Sequence, residues 1–223
     1  MLHSCIDHIV ITAPSLEEGV RYLRQTLGVD PQAGGEHVTM GTHNCLLKLG
    51  SDIYLEVIAA NLKAAPPPRP RWFQLDDPHW NSSPKLATWV ARTNDIQAAA
   101  QAAASMPIGK VQPMSRGNLD WLISIPEDGV LALQGTAPAL IQWNTPAHPA
   151  NAMQDLGCSL IRLEIFHPET EQLTGMLNRI GFEGNLQVLP LRQGTQPYLV
   201  AHIQTPAGPR QLGGANTGPY NQA

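Results

Sequence analysis

Residues 6–59 join two different periodicities in a fixed order, and that order limits the folds open to the chain. Ile6-Asp7-His8-Ile9-Val10-Ile11-Thr12 alternates with period two, which puts Ile9 and Ile11 on one face of a strand and His8, Val10 and Thr12 on the other. Ser15-Leu16-Glu17-Glu18 then has the form of a helix-capping box. Leu16, Val20, Leu23 and Leu27 recur at helical spacing up to Gly28. Gly34-Gly35 reads as a turn, and short strands are expected near 36–42, 44–49 and 52–59, linked closely enough to form an antiparallel meander. In the last of them Ile53, Leu55 and Val57 share one face, and Tyr54, Glu56 and Ile58 the other. Packing the aliphatic faces on the helix leaves His8, Thr12, Tyr54 and Glu56 together on the opposite side. That face is too polar for a core, so it is expected to line a cavity.

The layout recurs. Residues 61–84 interrupt it with Pro66-Pro67-Pro68-Arg69-Pro70, Trp72-Phe73 and Trp80, a proline density that precludes regular structure. The aromatic residues of this linker are expected to pack it onto the core, with cover over a cavity mouth as the sharper alternative. Lys85-Leu86-Ala87-Thr88-Trp89-Val90-Ala91-Arg92 is a second strand, Asn94-Asp95-Ile96-Gln97 a second cap, and an alanine-rich helix follows to about Ser105. Strands are expected near 110–116, 119–126 and 138–143. A third strand and helix fit 159–181, with two more strands near 186–192 and 198–205. The expected organisation is therefore a first βαβββ module over 1–60, a linker over 61–84, and a second βαβββ module over 85–150. A partial third module over 151–212 and a tail over 213–223 complete it.

Charged residues make up 14% and hydrophobic residues 43% of 223, a balance that suits a globular domain. A net charge of −4 without a basic cluster argues against nucleic acid, and no apolar run approaches the ~20 residues that cross a bilayer. Three scattered cysteines, Cys5, Cys45 and Cys158, suit reduced thiols and a cytoplasmic location. There is no G-x-S-x-G, P-loop, dinucleotide glycine fingerprint or H-E-x-x-H, so nucleophilic hydrolysis and nucleotide binding lack support.

Several words carry a family resemblance. They are Ile6-Asp7-His8-Ile9-Val10-Ile11, Gly41-Thr42-His43-Asn44, Tyr54-Leu55-Glu56-Val57-Ile58-Ala59, Val111-Gln112-Pro113-Met114-Ser115-Arg116 and Leu140-Ile141-Gln142-Trp143. In this order the chain resembles the vicinal oxygen chelate superfamily, and within it the glyoxalase-like domain group. The resemblance implies an α+β fold of paired βαβββ modules, whose first and fourth strands line a cup and supply ligands to one divalent metal that chelates adjacent substrate oxygens. Carried over by position, it assigns His8 and Glu56 to the metal, with Glu56 also the general base, and gives Thr88 and Gln142 as the second module's equivalents. Threonine and glutamine are poor ligands for a divalent ion, so these two are expected to read the substrate. Imidazole and carboxylate suit Zn, Fe, Mn or Ni. His43 is a weaker third ligand, because alternation turns it to the apolar face and leaves Asn44 facing the cup. Tyr54 lies on the cup face, and Arg92, of Thr88's parity, and Arg116 could each hold a substrate carboxylate. His148 is expected to be an exposed loop residue, with the edge of the second cup as its alternative place, and His37, His79, His167 and His202 form no constellation. The expected function is a small-molecule lyase, isomerase or dioxygenase acting on vicinal oxygens, with a homodimer as the candidate assembly. The rival is a metal-free small-molecule binding protein of the same fold.

Overall fold

A computed structural model of the chain describes residues 1–146 and 148–215. The first module runs β1 (Ser4–Thr12), α1 (Leu16–Leu27), β2 (Gln32–His37), β3 (Thr42–Lys48) and β4 (Tyr54–Ala60). The second runs β5 (Lys85–Thr93), α2 (Ile96–Ala102), β6 (Lys110–Arg116), β7 (Leu119–Ile125) and β8 (Ala139–Trp143). These eight strands form one curled sheet in the order β2-β3-β4-β1-β5-β8-β7-β6. The order is symmetric about its middle. β1 and β5 pair antiparallel there, and each pairs in parallel with the last strand of its own module. The chain therefore has the α+β architecture of paired βαβββ modules.

Local chemistry sets the helices. The Ser15 hydroxyl accepts from Glu18 N at 3.2 Å, and Asp95 caps α2 by accepting from Ala98 N at 3.0 Å. α2 ends at Ala102, short of the expected Ser105. β2 also departs from expectation: it starts at Gln32, runs through Gly34-Gly35, and ends at His37 before a single 3₁₀ turn at Val38–Met40. The register slips between Ala33 and Glu36, so the glycine pair is a bulge within a strand and not a turn.

A second sheet follows, built from β9 (Ser159–His167), α3 (Thr170–Arg179), β10 (Leu186–Pro190), β11 (Tyr198–Thr205) and β12 (Gly208–Gly213), in the order β10-β9-β11-β12. Three strands follow α3, not two: β12 occupies the stretch read as the approach to the tail, and residues 216–223 of that tail lie outside the described residues. One core joins the two sheets. Ile9, Ile11, Leu55, Val57, Trp89 and Leu140 from the first sheet meet Leu163, Ile165, Leu199 and Ile203 from the second, with Leu23, Ile96, Leu173 and Met176 of the helices among them. The other face of the eight-stranded sheet carries a separate set, Val10, Ile58, Val90, Trp121, Ile123 and Ile141, on which Trp72 and Phe73 of the linker sit. No helix among the described residues is long and apolar enough to cross a membrane.

α1 lies tight against β4 at Gly19. A Cβ placed there would meet Val57 Cγ1 at 2.4 Å and Ala13 Cβ at 3.0 Å. Alanine gains up to about 1 kcal/mol of helix propensity over glycine, but overpacking a close-packed interface costs about 1–3 kcal/mol. Gly19→Ala is therefore expected to lower stability by about 1 kcal/mol or more. The check is the urea unfolding midpoint, which would rise instead if propensity dominated.

Candidate functional site

The polar face of the first module begins with an irregularity in β1. Ile6 pairs with Ala91 and His8 with Val90, so Asp7 is the extra residue of a β-bulge. Plain alternation would send Asp7 under the helix with Ile9. The bulge brings it to the side of His8, where it has no exposed surface. Its Oδ1 lies 2.6 Å from His8 Nδ1, while its Oδ2 lies 3.0 Å from His148 Nε2 and accepts from Trp143 Nε1 at 2.9 Å. His148 Nδ1 accepts from Ala150 N at 3.3 Å, which leaves the proton of a neutral His148 on Nε2, facing Asp7. Although burial opposes ionisation, the hydrogen bonds and charge of His148 and His8 hold the Asp7 carboxyl well below the usual carboxylate range.

Asp7 in turn orients His8. With Nδ1–H directed at a carboxylate, the Nε2 lone pair points the other way, toward Glu56 Oε2 at 3.7 Å. That separation is too long for a hydrogen bond. Tyr54, directly opposite His8 in the β1–β4 register, stacks on the imidazole with centroids 4.5 Å apart. Burial is the main reason the Tyr54 phenol is held well above its ordinary range.

Glu56 is positioned from the other side. Its Oε1 accepts from Asn44 Nδ2 at 2.5 Å, and Asn44 Oδ1 accepts from Gly35 N at 2.8 Å and from Arg116 Nη1 at 3.0 Å. The two donors on Oδ1 orient the amide, so the NH₂ faces the carboxylate. This arrangement needs the glycine pair: a Cβ on Gly34 would meet Asn44 Oδ1 at 2.0 Å, and one on Gly35 would meet Arg116 Cδ at 3.0 Å. Arg116 Nη1 also lies 3.4 Å from His37 Nε2, and His37 Nδ1 lies 3.1 Å from Thr42 Oγ1. Burial, with Arg116 adjacent, pushes His37 down to about 3, so it is a neutral acceptor for the guanidinium.

His8, His37, Asn44, Tyr54, Glu56, Arg116, Trp72, Trp121 and Trp143 line one cavity with about 30 Å³ of free space. That is room for about two water molecules. Five of the expected residues thus meet here: His8, Asn44, Tyr54, Glu56 and Arg116. Three do not. Thr88 lines a neighbouring apolar cavity, separated by Trp72 and Phe73, which border both. Gln142 shares the core-facing parity of Leu140, and its Oε1 accepts from Ile96 N at 2.8 Å as an anchor for α2; Ile141 and Trp143 face the cup in its place. Arg92 is tied to Asp52 at 2.5 Å and to Cys5 at the end of β5, outside the cavity. His43 does not line the cavity either. The linker aromatics Trp72 and Phe73 cover the cup while also packing on it, and both are buried.

Asp7 and His37 were not expected in this constellation, and His148 was expected first as an exposed loop residue. His148 is buried and hydrogen-bonded, not an exposed loop residue. Asp7 had a local signal, an acid in a strand beside a histidine, but no parity argument to place it. His37 had none, because its inward direction follows from a bulge.

Comparison with known proteins agrees with this fold. The sequence model of a family described as "Glyoxalase-like domain" matches residues 6–181. No curated protein matches the chain significantly. Among solved structures, a hypothetical protein from Staphylococcus aureus superposes with a TM-score of 0.54 at 14% identity, over 94% of this chain and 84% of its own. A variant of 4-hydroxymandelate synthase from Streptomyces coelicolor gives 0.50 at 15% identity, over 97% of this chain and 64% of its own. Methylmalonyl-CoA epimerase from Mycobacterium tuberculosis gives 0.39 at 14%, over 62% and 85%. At such identities the first two likenesses speak to the fold alone.

An unfolded chain takes up a proton at His37 below its ordinary value of 6.5, whereas the folded chain does so only near 3. The unfolded state therefore binds more protons in that window, and stability falls as pH falls through it. Between pH 6.5 and about 4.5 the wild type is expected to lose up to about 2 kcal/mol more than His37→Gln. Urea unfolding at a series of pH values reads the difference, and parallel pH curves for the two proteins would contradict a buried neutral His37.

Proposed function

The chain belongs to the glyoxalase-like domain family of the vicinal oxygen chelate superfamily, and from that premise we propose that it is an enzyme acting on a small molecule with adjacent oxygens, with Glu56 as the proton acceptor. The observation that carries this reading is the buried array Asp7–His8···Glu56–Asn44–Arg116. It aims one imidazole lone pair and one carboxylate oxygen into one small shared space.

The charges there are unbalanced. Two buried carboxylates, Asp7 and Glu56, face one guanidinium, and uncompensated buried charge is costly. A cation in that space can supply the missing positive charge. Among the described residues no group of three or more His, Cys, Asp or Glu side chains is arranged to hold a metal. The donors present fit a two-residue site: His8 Nε2 and Glu56 Oε2 are close enough to share one ion, and Asp7 on the far imidazole nitrogen is the outer partner that metal-bound histidines commonly have. Water or substrate oxygens would complete such a site, and an ion there would polarise a substrate carbonyl.

The chain's own residues supply the rest. Asn44 holds Glu56 Oε1, so Oε2 is the oxygen presented to a C–H next to a carbonyl. Asp7 keeps the proton of His8 on Nδ1 and its Nε2 available. Trp72, Trp121 and Trp143 exclude water, which strengthens each electrostatic contact inside. A general base at such a site contributes about 10²–10⁴ in rate. A panel of 2-oxo acids and 2-hydroxy ketones in D₂O, followed by NMR, should therefore show protein-dependent exchange of the C–H beside the carbonyl, at least about 100-fold slower in Glu56→Gln. Exchange equal to buffer, or unaffected by Glu56→Gln, would remove the proposed chemistry. Retained ligand binding without exchange would favour the second reading, sequestration of a flat ligand between the aromatic walls.

The ion is a separate question with its own measurement. Elemental analysis of protein equilibrated with Zn, Mn, Fe or Ni should show uptake by the wild type and loss in both His8→Ala and Glu56→Ala. Unchanged stoichiometry in both variants would exclude these two residues as ligands.

A further inference from the structure

Nearly every polar group around the cavity is satisfied by another. Asp7, His8 Nδ1, Glu56 Oε1, both ends of the Asn44 amide and both nitrogens of His37 have partners. Two groups remain. Trp72 is 4% exposed, and its indole Nε1 is buried with no hydrogen-bond partner. Arg116 uses Nη1 on Asn44 and His37, and no acceptor among the described residues engages its Nε or Nη2. His37 touches both, edge-on to the Trp72 ring at 4.9 Å and 3.4 Å from Arg116 Nη1, so the two lie on one side of the cavity. Both unused groups are donors, and one is cationic. A buried donor without an acceptor is destabilising, and a ligand that brings the acceptors removes that cost. Trp121 and Trp143 also line this cavity, with ring centroids 5.3 Å apart and planes tilted by 47°.

We propose that Arg116 and Trp72 form a carboxylate subsite, so that the substrate is a small carboxylic acid with a flat apolar body laid against Trp121 and Trp143. The inference rests on the cavity being the substrate site. It makes Trp72, a linker residue, a specificity determinant: its indole N–H takes one carboxylate oxygen while the guanidinium takes the other. Such a ligand exceeds the present free space of about 30 Å³, so the segment carrying Trp72 shifts to admit it. That segment is tethered and carries backbone strain. Arg71 is tied to Asp76, Gln74 N donates to Gly129 O at 2.8 Å, and Phe73 and Gln74 both hold left-handed backbone with φ of 57°. Non-glycine residues adopt that region at a cost, and such strain collects at segments that clamp ligands.

The test is isothermal titration with benzoylformate, which has a carboxylate, a neighbouring carbonyl and a flat ring, against its neutral methyl ester. The wild type is expected to bind the acid at least tenfold more tightly than the ester. Trp72→Phe keeps a ring and removes the N–H; it should weaken the acid by about tenfold and the ester by less than twofold. Arg116→Gln should erase the preference for the acid. Equal affinity of the wild type for acid and ester, or no binding of either, overturns the proposal, and so does wild-type acid affinity in a Trp72→Phe protein with a normal thermal melt. Should Trp72→Phe fail to fold, the wild-type comparison and Arg116→Gln still decide it. Binding of the acid without deuterium exchange on any substrate would leave the subsite standing and remove the proposed chemistry. Exchange with neutral substrates alone would do the reverse.

Discussion

A carboxylate with no exposed surface is tolerated only if its lone pairs are filled, and Asp7 is such a group. Its two oxygens take His8 from its own strand, Trp143 from the end of β8, and His148 from the loop beyond. These partners come from both modules, so the network ties the halves of the eight-stranded sheet together at its centre. Removing one partner of such a buried charge typically costs about 3–5 kcal/mol, which makes the network a structural commitment as well as an orienting device. The direction of the His8 lone pair, and with it the chemistry available opposite Glu56, depends on Asp7 staying charged and in place.

The two modules have similar wiring and unequal contents. The first supplies His8, Asn44, Tyr54 and Glu56, while the second supplies Trp121, Ile123, Ile141 and Trp143, with Arg116 its one charged contribution. The linker fills the space between. By seating Trp72 and Phe73 on the polar side of the sheet, it divides the cup into a charged compartment under the first module and an apolar one under the second. A symmetric strand order therefore encloses an asymmetric site. The second sheet packs on the opposite face, behind the shared aliphatic core, and supplies none of the residues lining the site.

Local rules were sufficient wherever one physical period governs a segment. Ile9 and Ile11, and Leu55 and Val57, alternate into the core as strand parity requires, and the Ser15 and Asp95 caps start their helices. The convergence of His8, Tyr54 and Glu56 on one face was legible for the same reason. The errors cluster where the period slips. The bulge at Asp7 moves an acid from the core side to the site. The bulge at Gly34-Gly35 turns an apparent turn into a strand and makes room for Asn44. Gln142 was taken by position in a motif, whereas its parity with Leu140 sends it to α2.

Composition, alternation and caps were thus enough to specify modules, the helix-facing side of each strand and the candidate pair His8 and Glu56, because each depends on residues a few positions apart. Which side chains complete that pair could not be read in the same way. Asp7 meets His148, and Asn44 meets Arg116, across 141 and 72 positions of chain. Those meetings follow from how β1 lies beside β5 and how β2 lies across from β6, and a single inserted residue in a strand reverses every side chain that such an argument would place.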